Sequence, residues 1–110
     1  MVARLHRHAA SGCFARSILI DHARHAFVFH ATRAAFLHGD EDEVRRVVNL
    51  VFHEWELSII RDMQQPTDHT PEQRRGMLIN HCCEMLGANE EVGAVVVAAV
   101  NAVTRYRGRE

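Results

Sequence analysis

The chain has 110 residues, 47% of them hydrophobic and 25% charged, with 13 basic residues against 14 acidic ones. That length fits a single domain able to bury roughly two-thirds of its unfolded surface. The near-zero charge balance argues against the broad positive field that phosphate-dominated nucleic-acid binding requires, and no run approaches the ~20 apolar residues of a membrane span.

All 13 basic residues are Arg. With abundant Ala, Val and His this suggests a GC-rich coding sequence, so the nine His carry less weight than their number suggests. Arg suits protein interfaces because its planar fork pairs carboxylates bidentately and is weakly hydrated. The cysteines are Cys13, Cys82 and Cys83. An odd number, two of them adjacent, makes no disulfide framework, and a reducing cytoplasm is the expected location. Ala10-Ser11-Gly12-Cys13 has the outline of a lipoprotein cleavage site, but Arg4, His6, Arg7 and His8 interrupt the apolar stretch that a signal peptide needs before it.

In chain order, residues 1–12 lack a sustained period and are expected to form a flexible tail, leaving 13–110 as one helical domain. A first helix is expected from Phe14 to His38, ended by Gly39 in the left-handed position. Asp40 caps a second helix whose first turn, Glu41-Asp42-Glu43, sets negative charge at the positive end of the dipole. It runs to about Gln65 and Pro66. Thr70, Pro71 and Gln73 combine a capping box with proline at the first helical position, opening a third helix that closes at Leu86 and Gly87. Asn89 caps a fourth, with Glu90 and Glu91 in its first turn. Short connections imply antiparallel neighbours, so the fold class is all-α, a four-helix antiparallel bundle-like domain. Phe27-Val28-Phe29 is the one place where a short strand competes.

Three of the four helices are apolar on two sides. In the fourth, Val92, Val95, Val96, Ala99, Val100, Val103 and Tyr106 form one stripe and Ala94, Ala98 and Ala102 a flatter one beside it, leaving a narrow wedge of Glu90, Gly93, Val97, Asn101 and Thr104. The second carries Val44, Val47, Val48, Val51, Trp55 and Ile59 on one side and Leu50, His53, Leu57 and Ile60 on the other, at spacings of three, four and three. The first has Leu19, Ala23, Phe27, His30, Ala34 and Leu37 on one face and Ile18, His22, His25, Phe29, Thr32 and Phe36 on another. A lone copy has too few helices to cover all of this, so a homodimer is expected, with a further patch for another protein. Self-association is assigned to Ala94, Val97, Ala98, Asn101 and Ala102, whose small side chains let a second helix approach closely. Partner binding is assigned to Ile18, His22, His25, Phe29 and Phe36 on the first helix and to Leu50, His53, Leu57 and Ile60 on the second.

Reactive chemistry is sparse, and neither an enzyme nor a bound cofactor is expected. His22 with His25, His53 with Glu56, and His81 with Glu84 are three i, i+3 pairs of metal-ligand type, and helical bundles do build metal sites this way. The di-iron bundles place Glu three residues before His, the reverse of the order here. A metal-binding sensor or enzyme is therefore the alternative reading. Cys82 and Cys83 lie about 100° apart on a helix and would grip one ion poorly; Cys82 is expected to pack with Leu78 and Met85. Nothing visible would activate a thiol. A helix-turn-helix around Gly87 is disfavoured because the helix that would enter the groove begins Glu90-Glu91 and has no base-reading side chain before Arg105. Arg105, Arg107 and Arg109 complement the dipole at a solvated helix end. His30 and His53 are expected inside interfaces.

The His- and Ala-rich run His22-Ala23-Arg24-His25-Ala26-Phe27-Val28-Phe29-His30, the junction Gly39-Asp40-Glu41-Asp42-Glu43 and the Val-rich last helix together resemble the small helical quorum-sensing anti-activators of pseudomonads. The likeness extends over nearly the whole chain and rests on general pattern and length, with no diagnostic motif. It implies a helical dimer that binds the ligand-binding domain of a LuxR-type transcription activator, blocks that activator's own dimerisation and keeps it off DNA. It implies no contact residue by position.

Overall fold

A computed structural model describes residues 10–36 and 40–107, and of residues 10–21 and 107 it describes the backbone only. The described residues form four helices and no strand: α1 is Ala10–Ala35, α2 Glu41–Gln64, α3 Pro71–Leu86 and α4 Glu90–Arg107.

The helix ends follow from local chemistry. Asp40 has extended backbone and its carboxylate accepts the Asp42 amide at 3.0 Å, so α2 starts on a side-chain cap with Glu41, Asp42 and Glu43 in its first turn. At α3 the box is reciprocal. Gln73 N–H donates to Thr70 Oγ1 at 3.1 Å, Thr70 N–H donates to Gln73 Oε1 at 2.8 Å, and Pro71 occupies the first turn, where no donor is missed. Gly87 ends α3 at φ +58, left-handed backbone that a side chain would strain. Asn89 Oδ1 then accepts the Val92 amide at 2.9 Å and opens α4.

The first helix departs from expectation at both ends. It already includes Ala10, Ser11 and Gly12, inside the segment expected to be a tail; residues 1–9 lie outside the described part. It stops at Ala35 rather than His38. There the Phe36 amide folds back on the Arg33 carbonyl at 2.9 Å, a tightened last turn, while Phe36 packs against the core and the Arg33 Nε reaches Glu41 at 3.3 Å. Gly39, expected as the stop, lies outside the described residues together with Leu37 and His38. Phe27-Val28-Phe29 is helical, so the competing strand is overturned: burial of Val28 and Phe29 on a helical face outweighs their β propensity.

The helices enclose one core. Contacts link α1 with α2, α2 with α3, α3 with α4 and α4 with α1; α2 and α4 also touch across the middle, whereas among the described residues α1 and α3 do not meet. Residue numbers descend along one partner as they ascend along the other: Arg74 meets Asp62 and His81 meets Glu54 between α3 and α2, and Arg33 meets Glu41 while His25 meets Asn49 between α1 and α2. Val44, Val47, Val48, Val51, Phe52 and Trp55 enter the core from α2 and Val95, Val96, Ala99, Val100, Ala102 and Val103 from α4. Each buried Val contributes about 1.5–3 kcal/mol relative to exposure.

Two expectations about faces are corrected. The core face of α1 centres on Val28, Phe29 and Thr32, at one edge of the second face drawn from the sequence, and it leaves Ala23, His30 and Ala34 of the first face exposed. Thr32 can be fully buried because its hydroxyl donates to the Val28 carbonyl at 2.7 Å. On α4, the Val stripe and Ala102 are covered within a single chain, while Ala94 and Val97 stay exposed and Ala98 is half-buried. Short Val and Ala side chains let α1, α2 and α3 all close on it.

Candidate protein-docking surface

On the side of α2 opposite Val48 and Val51, steps of three and four residues bring His53, Leu57 and Ile60 to one stripe. The structure leaves that stripe in solvent, with Leu57 44% and Ile60 51% exposed and His53 exposed as well. Leu50, at its upper end, is half-buried and rests on the edge of the core. His53 is therefore not an interior histidine. Two charged side chains edge the stripe, Glu56 towards α1 and Arg61 towards α3, and both are exposed.

Beside it, α1 and α2 form a notch of about 350 Å³ lined by His22, His25, Ala26, Phe29, His30 and Arg45. His25 is half-buried; its Nε2–H donates to Asn49 Oδ1 at 2.8 Å while the ring stacks on Phe52 at 4.8 Å, so a polar side chain and an aromatic face share its two sides. Phe29, 9% exposed, is largely spent inside the chain, and Arg45 covers its ring at 4.4 Å while also pairing with Glu41 at 3.0 Å. His22 and His30 stay exposed on the rim. Phe36 packs half-buried on the core, and the Ile18 side chain lies outside the described residues. Of the residues assigned to partner binding, the fold thus groups His22 and His25 at one notch and His53, Leu57 and Ile60 on the adjoining stripe. It withdraws Phe29 for the most part.

Of the residues assigned to self-association on α4, Ala94, Val97, Ala98 and Asn101 share the outward side of the helix and Ala102 does not. Ala94 is exposed, Val97 is 38% exposed, Ala98 is half-buried and Ala102 is fully buried in its own chain. A four-residue step turns a helix by about 400°, so such a stripe drifts about 40° per step and about 80° from Ala94 to Ala102. The drift carries its lower end into the core. Asn101 is also engaged, accepting a hydrogen bond from Arg75 at 2.8 Å across α3 and α4.

The paired ligands do not converge. Among the described residues no three His, Cys, Asp or Glu side chains come close enough to share a metal ion. His25 is held by Asn49, and His81 donates to Glu54 at 2.8 Å, with that carboxylate only 11% exposed. Cys82 is fully buried beside Leu78 and Cys83 half-buried, whereas Met85, expected to pack with Cys82, is exposed. Burial first, then the Glu54 charge and the adjacent Cys83, push the Cys82 thiol up from 9.0 to about 11, away from nucleophilic use.

The sequence reading missed a cleft of about 860 Å³ between the end of α2 and the start of α3. Trp55, Ile59, Met77 and Leu78 floor it, the Glu54–His81 and Asp62–Arg74 pairs bridge it, and Thr104 of α4 shows at its base. Its signal was spread over three helices and no single period carries it. Arg24 lies over the rings of Trp55 and Tyr106 at 5.3 and 5.8 Å, a cation–π arrangement equally invisible from spacing. No helix among the described residues is long and apolar enough to cross a membrane.

No family model, no curated protein and no solved structure compared with the chain matches it.

Proposed function

We propose that this chain is a cytoplasmic negative regulator that works by binding protein rather than by catalysis, and that its target is a LuxR-type transcription activator. It engages the activator's ligand-binding domain, prevents that domain from dimerising and so keeps the activator off DNA. Its helices form an antiparallel bundle and its working form is a homodimer. The carrying observation is the apolar stripe that packing leaves uncovered on α2, with Leu57 and Ile60 about half exposed opposite the core. Aliphatic side chains in such a row cost free energy in water and gain it when another protein covers them. The histidine-rimmed notch beside it adds shape and hydrogen-bonding capacity. The choice of a LuxR-type target comes from the resemblance to the anti-activators. The opposed order of residue contacts along α1, α2 and α3 supports the antiparallel arrangement.

The test is to mix the purified chain with the ligand-binding domain of a LuxR-type activator at roughly 50 µM each. The expected result is a complex on size-exclusion chromatography, disappearance of the activator domain's dimer and loss of operator binding by the full activator. His22→Glu, on the notch rim, weakens the complex at least about tenfold with helix content unchanged. If the activator domain remains dimeric and no complex elutes, the LuxR reading is wrong.

A further inference from the structure

We infer that the outer stripe of α2 pairs with the same stripe of a second copy, the two α2 helices running parallel across a two-fold axis. This rests on the homodimer in the reading above and assigns its interface, moving the stripe from target binding, where the sequence placed it, to self-association and leaving the notch for the target. Leu50, His53, Leu57 and Ile60 follow one another at three, four and three residues, so they take the a, d, a and d positions of a heptad seam. Leu57 and Ile60, about half exposed, form its centre. The core flank of α2 is taken by α4, and α1 and α3 lie along its sides, so one further helix has room on the open side.

The charges select the occupant and its direction. In this register Glu56 falls at g and Arg61 at e, five residues on and about 140° around the helix, on opposite edges of the stripe. That separation keeps them from pairing within one helix, and neither makes an ion pair or side-chain hydrogen bond among the described residues, whereas Glu54 is held by His81 and Asp62 by Arg74. In a parallel pair, g of one helix faces e of its neighbour, so each Glu56 meets the other copy's Arg61 and the two-fold makes both bridges at once. In an antiparallel pair, g faces g, and the two Glu56 carboxylates would confront each other. A second copy in parallel orientation thus satisfies both exposed charges with residues the chain already carries. It also leaves the notch at His22 and His30 clear for the target protein.

The experiment is light scattering across a dilution series for the wild type, Leu57→Glu, Glu56→Arg, Arg61→Glu, and an equimolar mixture of the last two, with helix content followed by circular dichroism. The wild type is expected to show a two-chain mass at high concentration that falls to one chain on dilution. Leu57→Glu gives one chain throughout. Glu56→Arg and Arg61→Glu alone each place like charges at both bridges and weaken the dimer at least about tenfold. Their mixture restores the two-chain mass, because a heterodimer again sets Arg against Glu on both edges; misfolded variants could not recover in this way. A one-chain mass for the wild type at every concentration overturns both the seam and the homodimer. A Leu57→Glu variant that stays dimeric overturns the seam and leaves the homodimer standing. A mixture no tighter than its components overturns the parallel pairing.

Discussion

Helices α2 and α4 both touch every other helix and both carry apolar side chains on two sides, yet they end up differently. Every large apolar position on α4 but Val97 is buried or half-buried within the chain, whereas α2 keeps Leu57, Ile60 and Met63 in water. The difference lies in side-chain size and placement. Valines and alanines present a low surface that three neighbours can approach from different directions, so on α4 an apparent surplus becomes a core. On α2, His53, Leu57 and Ile60 sit behind the core face and stay exposed, with only Leu50 at the upper end reaching the core edge. Apolar surface on two sides of a helix is evidence for a partner only when the sides are opposed.

Substitutions that treat the two helices alike should sharpen this contrast. The largest effect is expected at Val100, fully buried on α4: Val100→Asp sets an unpaired carboxylate in the core and should lower stability by at least about 4 kcal/mol in urea titration. The equivalent change on α2, Leu57→Asp, should stay within about 0.5 kcal/mol per protomer at concentrations where the chain is monomeric. Comparable loss at both positions would erase the distinction.

Next in size is the buried thiol of α3. The Cys82 pKa is raised in the fold from 9.0 to about 11, so its contribution is complete below pH 9 and is lost as the pH rises through 11. Unfolding measured from pH 8 to 11 should lose about 2–3 kcal/mol that Cys82→Ala does not lose, and at pH 8 a thiol reagent should label Cys83 well before Cys82. Equal labelling would contradict the burial.

Along α4 itself, Ala102→Leu should cost about 1–3 kcal/mol by overpacking, whereas Ala94→Leu, two steps up the same stripe and exposed, should change stability by less than about 0.5 kcal/mol. Equal responses at the two sites would remove the 80° drift as the explanation. The smallest of the larger effects belongs to a helix end: Thr70→Ala removes the acceptor of the Gln73 amide and should cost about 1 kcal/mol, read as a lower thermal midpoint.

These contrasts also mark where residue order was sufficient. Asp40, Thr70 with Pro71 and Gln73, Gly87 and Asn89 each act within four residues of themselves, so α2, α3 and α4 begin and end about where the sequence places them. The end of α1 was misjudged because a glycine at 39 promised a stop that Phe36, drawn to the core, and Arg33, drawn to Glu41, supplied earlier. His53, Leu57 and Ile60 were legible as a surface because their three-four spacing is a property of one helix. The α4 assignment lost Ala102 to the core because burial there depends on three neighbours at once. The α2–α3 cleft went unseen because Glu54 and His81, or Asp62 and Arg74, become neighbours only when two helices cross.

By itself the sequence determined four helices, their caps and which side of α2 is greasiest, since capping bonds and helical period are local and act over a few residues. Which apolar side stays uncovered, and whether any reactive groups meet, was decided by the tertiary structure alone. Burial and proximity are properties of how helices from distant parts of the chain close on one another, and no spacing along a single helix encodes them.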